Sequence, residues 1–187
     1  GPDCLNLNIW TPDPGASLPV MVWIHGGAFY AGTGNDEFYK GDEFARSGVV
    51  VVAINYRLGA QGFLELSHFG EAYESSGCVG IMDQVCALQW VRRHISQFGG
   101  DPNRVTIAGE SAGAMSVSTL LTVPSARGLF QRAIAQSGAA NNSMPKALAQ
   151  IVTRELLSKL DIHDPSELNM VSDQNLLEAQ VALMQEI

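Results

Sequence analysis

The sequence predicts an α/β fold with a mostly parallel central sheet flanked by helices, and three observations carry that prediction. Short apolar runs rich in β-branched residues recur along the chain, which suits strands buried on both faces. Helical periodicity fills stretches between them. Glycine pairs and Asp-Pro punctuate the joins. Strand alternating with helix calls for parallel pairing and right-handed crossovers.

Taken in order, Gly1-Pro2-Asp3 runs straight into a strand-like stretch. Leu18 to His25 (LPVMVWIH) is the next run and stops at Gly26-Gly27. Val49 to Asn55 (VVVVAIN) is the most β-branched of all. Ile81, Val85, Leu88, Val91, Ile95 and Phe98 recur at steps of three and four, which predicts a helix from Ile81 to Phe98. Gly99-Gly100 ends it, and Asp101-Pro102 is expected to turn the chain. Arg104 to Gly109 is a further strand and Arg132 to Gln136 a weaker one.

After Asn142 the pattern changes. Pro145 to Leu160 reads as an amphipathic helix, and Asp173 to Ile187 as another. Between them, Asp164-Pro165-Ser166-Glu167 combines an N-cap, a proline at the first helical position and a capping glutamate. Residues 1–142 are therefore expected to form the N-terminal part of the core. Residues 143–187 are expected to be a helical excursion or lid.

Composition narrows the partners. Apolar residues make up 46% of the 187 and charged residues 16%, in the range of a globular chain. A net charge of −8 argues against nucleic acid or an anionic lipid surface as a partner. No run reaches 18 apolar residues, so no membrane span is expected. The three cysteines, Cys4, Cys78 and Cys86, lack C-x-x-C spacing and any ligand-like pairing with histidine; free or buried thiols are expected, with Cys4 open to pairing upstream. No metal or organic cofactor is implied. Asn141-Asn142-Ser143 is a lone glycosylation sequon, too common a pattern to weigh.

The chemistry concentrates at Gly109-Glu110-Ser111-Ala112-Gly113, a G-x-S-x-G between an expected strand and an expected helix. A serine hydroxyl is a weak nucleophile until a base takes its proton. A sharp strand-to-helix turn would thrust it out of the sheet, and the strained backbone there needs small residues two before and two after. Gly109 and Gly113 meet that need. The following helix, from about Ala112 to Leu121, would aim its N-terminal N–H groups at the site. The rival reading is an ordinary N-cap serine in a glycine-rich turn. Glu110, on a tight turn, points away from its neighbour and is expected to be a buried carboxylate hydrogen-bonded under the bend.

Acyl transfer passes through a tetrahedral oxyanion, and preorganised N–H donors stabilise it by about 3 kcal/mol each. The Ala112 N–H should be one donor. His25-Gly26-Gly27-Ala28 follows the Leu18–His25 run, and the N–H groups of Gly27 and Ala28 should supply the others. His25 could be a general base, although a histidine at a strand end more often orders the loop by hydrogen bonding. Gly32-Thr33-Gly34 invites a phosphate-loop reading, but G-K-[ST] is absent and G-x-G-x-x-G is incomplete.

These pieces together resemble the type-B carboxylesterase family, the cholinesterase-like branch of the α/β-hydrolases. Asp3-Cys4-Leu5-Asn6-Leu7-Asn8-Ile9-Trp10 is similar to its E-D-C-L-x-L-N signature, with Pro2 where glutamate is usual. Trp23 to Phe29, Asn55-Tyr56-Arg57-Leu58-Gly59, Gly80 to Gln84, Phe98 to Thr106, the G-x-S-x-G itself and Gln136-Ser137-Gly138 extend the likeness over residues 3–140. Gly77-Cys78-Val79-Gly80 departs from the family's Gly-Asn-x-Gly. The HGGA form looks bacterial, which favours the cytoplasm although the compartment stays open. The resemblance implies a hydrolase of small carboxylic esters with a Ser-Glu-His triad in that chain order. Ser111 matches the serine; the glutamate and histidine are expected downstream of residue 187, so that these residues are an N-terminal portion. It also suggests Ser137 near the triad. Among the histidines, His68 falls in a polar loop, His94 on a solvated helix face, and His163 in a helix-to-helix turn. Two other readings stand beside the esterase: a non-catalytic adhesion or scaffold relative, and an inactive truncated fragment.

Overall fold

In the computed structural model, residues 3–140 and 143–186 are described, so Gly1, Pro2, Ile187 and the asparagines of the sequon lie outside the described residues. In chain order the elements are β1 (Leu7–Trp10), β2 (Leu18–Ile24), α1 (Asp42–Arg46), β3 (Val50–Ile54), α2 (Gly59–Phe63), α3 (Val79–His94), β4 (Gly100–Glu110), α4 (Ala112–Leu120), β5 (Arg132–Gln136), α5 (Lys146–Lys159) and α6 (Asp173–Met184), joined by short 3₁₀ turns. The chain forms two compact units: Asp3–Tyr56 with Ile81–Asn142, and Arg57–Gly80 with Ser143–Ile187.

The first of these units holds the sheet, in the order β1-β3-β2-β4-β5. β1 runs antiparallel to β3; every other pairing is parallel. All five residues of β3 are buried, as its unbroken apolar run predicts, and Val20, Val22 and Ile24 of β2 alternate into the interior. The expected face of α3 is real: Val85, Leu88, Val91 and Ile95 are buried. Each such side chain contributes about 1.5–3 kcal/mol by leaving water. α3 itself ends at His94, and Ile95–Phe98 tightens into a 3₁₀ turn that closes on Gly99 at φ 78°.

One expectation needs correcting. Asp101-Pro102 does not end an element but lies inside β4, opposite a register shift between Leu18 and Val20. The turn chemistry is present as a bulge: Asp101 Oδ1 accepts from the Asn103 N–H at 2.9 Å, and Arg104 Nε reaches the same carboxylate at 2.8 Å. The bulge absorbs the extra residues and lets β4 resume pairing at Val105.

The other unit is helical. Leu64, Leu66, Leu156, Ala179 and Leu183 form its core. Thr153 Oγ1 donates to Glu65 O at 2.9 Å, and Gln180 Oε1 accepts from the Ala60 N–H at 2.8 Å. The capping box forms at Asp164 and Glu167, heading a 3₁₀ helix over Pro165–Met170 rather than an α-helix.

Candidate active site

β2 and β4 are neighbours in the sheet, yet the chain leaves β2 toward β3 on one side and leaves β4 toward β5 on the other. Such a divergence opens a crevice at the carboxyl ends of the two strands, the favoured ligand position in α/β sheets. Register places Ile24 beside Gly109. The glycine loop after β2 and the turn after β4 therefore emerge side by side.

Ser111 occupies that turn with φ 55° and ψ −122°, between the last residue of β4 and the first of α4. Its side chain makes no capping hydrogen bond to α4. An ordinary N-cap serine has extended dihedrals and spends its oxygen on the helix, so the rival reading of this residue fails. Ser111 is half-buried rather than packed inside. Its backbone is held at both ends: its N–H donates to Gln136 O at 2.9 Å, and its carbonyl accepts from the Met115 N–H at 3.0 Å.

The flanking glycines answer a steric demand. A Cβ on Gly113 would lie 2.0 Å from the Ile24 carbonyl oxygen, and one on Gly109 would lie 2.5 Å from the Gly113 carbonyl carbon. Both contacts are with backbone, which has nowhere to go. Gly138 closes the far side, where a Cβ would lie 2.6 Å from Ser111 O. The adjoining Ser137 has φ 57°, a second strained position beside the turn.

The glycine loop comes up to Ser111 directly: a Cβ on Gly26 would be 3.2 Å from Ser111 Cβ. The loop is strongly bent, with φ 108° at Gly27, 53° at Ala28 and 64° at Phe29. Two non-glycine residues in succession at positive φ persist only where surroundings over-determine them. Here the N–H groups of Tyr30 and Ala31 donate to Gly27 O at 3.1 and 3.0 Å. Ala28 is exposed and Gly27 half-exposed. Ala112 is the first residue of α4, so its N–H lacks an acceptor within the helix.

His25 is 1% exposed. Its Nδ1 lies 2.7 Å from Gly26 O, which makes this nitrogen the donor, and its ring stacks on Tyr56. Nε2 is buried without a hydrogen-bond partner among the described residues. Burial holds the imidazole below its ordinary pKa, with the Gly26 hydrogen bond opposing. Nδ1 is committed to loop backbone and Nε2 is sealed in the interior, so the ring makes no hydrogen bond to Ser111.

Glu110 departs from expectation: it is exposed, not buried under the bend. The strand ladder explains this, since Gly109 already faces the last residue of β2 and Glu110 extends beyond it. Its carboxylate lies along the glycine loop, where a Cβ on Gly26 would be 3.1 Å from Oε2. Burial first, then the charges of Asp36 and Glu110, push the Tyr39 phenol up, against a hydrogen bond with the Gly26 backbone.

Sequence reasoning missed the residues that brace the loop. Asn55 Oδ1 accepts from the Gly34 N–H at 2.8 Å, and its Nδ2 donates to Asn6 Oδ1 at 2.8 Å. Tyr56 is 3% exposed and burial drives its phenol pKa upward. A polar pair closing a fully buried strand was the available signal. Elsewhere, His94 packs against Trp90 and His68 against Phe69. All three cysteines are free. Among the described residues no group of three or more His, Cys, Asp or Glu is arranged to hold a metal, and no helix is long and apolar enough to cross a membrane.

Comparison with known proteins adds sequence and fold. The profile described as "Carboxylesterase family" matches residues 2–180. The para-nitrobenzyl esterase of Bacillus subtilis (strain 168) is 51% identical over 181 residues, covering 95% of this chain and 36% of that protein. The fumonisin B1 esterase of Sphingopyxis macrogoltabida is 48% identical over 141 residues, 72% of this chain and 26% of its own. The crystal structure of the Geobacillus stearothermophilus carboxylesterase EST55 at pH 6.2 superposes with a TM-score of 0.95 at 46% identity, covering 99% of this chain and 40% of that one. The chain thus matches between 26% and 40% of the length of these relatives.

Proposed function

This chain belongs to the carboxylesterase family, and from that premise we propose that the protein is a serine hydrolase cleaving small carboxylic esters through an acyl-enzyme on Ser111. The observation that carries the reading is the Ser111 turn: φ 55°, no cap bond, and flanking glycines whose Cβ atoms would strike backbone. Strain of this kind costs about 1–3 kcal/mol and is retained where a mechanism uses it. The similarity to a para-nitrobenzyl esterase supports small esters as the substrate class.

In this reading Ser111 Oγ attacks the ester carbonyl carbon while a base takes its proton. The carbonyl oxygen becomes an oxyanion facing the N–H groups of Gly27, Ala28 and Ala112. Collapse expels the alcohol, which receives the proton. Water then attacks the acyl group by the same route and releases the acid. The base is a histidine oriented by a glutamate, both from chain beyond residue 187. The commitment of His25 Nδ1 to Gly26 O supports looking outside these residues for it. Gly109 and Gly113 shape the bend, and Glu110 lines the glycine loop. Residues 143–187 are read here as a helical excursion or lid segment, a reading that α5 and α6 support.

The test is pre-steady-state kinetics of the full-length protein with a p-nitrophenyl ester. A burst stoichiometric with protein is the expected result, and Ser111→Ala should abolish it, lowering kcat by about 10⁴–10⁶-fold. A Ser111→Ala variant that retains the burst overturns the assignment.

A further inference from the structure

The Gly26 carbonyl holds the key to where the glycine loop aims its amides. In a trans peptide the C=O of one residue and the N–H of the next point in opposite directions. Gly26 O faces the buried His25 ring, 2.7 Å from Nδ1. The Gly27 N–H must then face the other way, toward the exposed side of the loop. Whatever fixes the imidazole fixes that direction.

Two groups fix it. The Tyr56 ring stacks on the imidazole at 4.5 Å between centroids and 19° between planes. Its hydroxyl donates to the His25 carbonyl at 2.9 Å. On the Gly26 O–Nδ1 contact itself sits Gly32, where a Cβ would lie 2.5 Å from Gly26 O and 2.7 Å from Nδ1. The imidazole is thus gripped by the phenol and by bare backbone, and the same phenol pins its main chain.

We propose that Tyr56 is a positioning residue for ester hydrolysis: through His25 it locks the Gly26–Gly27 peptide so that the Gly27 N–H is presented to the developing oxyanion. Tyr56 does not touch substrate in this account. It acts on a donor whose value depends on direction, because only a preorganised N–H stabilises the transition state without reorganising. The inference rests on the serine-hydrolase reading above.

Tyr56→Phe tests it in the full-length protein, since it keeps the stacked ring and removes only the hydroxyl. With a p-nitrophenyl ester, kcat should fall about tenfold while KM stays within about twofold, the pattern of an interaction made mainly in the transition state. Affinity for a trifluoromethyl ketone, which adds Ser111 and forms an oxyanion, should weaken by the same factor. An unchanged kcat, or a lower melting temperature with normal kcat well below it, overturns the proposal. His25→Phe combined with Tyr56→Phe should lose no more than the worse single variant, because both act on one peptide; fully additive losses overturn it too. Fluorophosphonate labelling separates the two claims. An unlabelled wild-type protein sinks the serine-hydrolase reading itself, whereas a labelled one with normal kcat in Tyr56→Phe sinks only the positioning role.

Discussion

Ser111 and His25 are strained or isolated in ways that cost stability, and each cost has a measurable consequence. The φ of 55° at Ser111 is tolerated because Gln136 and Met115 hold its two backbone groups. His25 is buried with one nitrogen unpartnered among the described residues, so protonation would leave a buried cation with an unmet donor. Its folded pKa is therefore depressed below the ordinary 6.5. In the unfolded chain the same ring takes its proton near 6.5. Between those two values the unfolded state holds more protons, so stability rises with pH and is lost as pH falls below 6.5. Urea midpoints measured from about pH 7.5 down to 5.5 should fall for the wild type and stay flatter for His25→Gln. Parallel slopes in the two proteins would remove His25 from the account. The carboxylates held low by hydrogen bonds, Glu65 with Ser67 and Asp164 with Ser166, lose their contribution only below their ordinary values of 4.5 and 3.8, a separate window. Residue type and spacing made Ser111, Gly109 and Gly113 legible in the sequence. The exposure of Glu110 was not legible, because it depends on β2 ending one residue short of it.

At the scale of elements, the strand-to-helix turn is built from backbone packed on backbone. Gly113→Ala would drive a methyl group to 2.0 Å from Ile24 O, forcing α4 away from β2. A loss of at least about 3 kcal/mol is expected, enough to compromise soluble expression. Gly48→Ala is the control: nothing lies within 4 Å of its Cβ, and only the φ of 82° opposes it, at about 1–2 kcal/mol. Equal losses in the two variants, by chemical denaturation, would contradict the packing argument. Asp164→Ala should remove the capping box and cost about 1 kcal/mol. The strands could be read from their unbroken apolar runs and the long helices from periodicity, since β3 and α3 bury the residues their patterns select. The short helices α1 and α2 carry too few turns to leave a period, and the bulge at Asp101 depends on what β2 presents across the ladder.

For the whole molecule, sheet order turns local motifs into a site. The G-x-S-x-G and the glycine loop are more than eighty residues apart in sequence, and only the adjacency of β2 and β4 brings them together. That adjacency, with β3 on one flank and β5 on the other, is a long-range property that strand patterns do not encode. β5 is exposed along its whole length at the end of the sheet. A polypeptide of residues 1–187 alone is therefore expected to self-associate with rising concentration in sedimentation velocity, and monomers at all concentrations would argue against an adhesive edge. The account turns on one reactive hydroxyl, and peptide mapping reads it most directly. The full-length protein, treated with a fluorophosphonate and digested, should carry a single phosphonyl adduct, on Ser111, with ester hydrolysis lost in proportion. An active protein that carries the adduct elsewhere, or that takes up none, would contradict it.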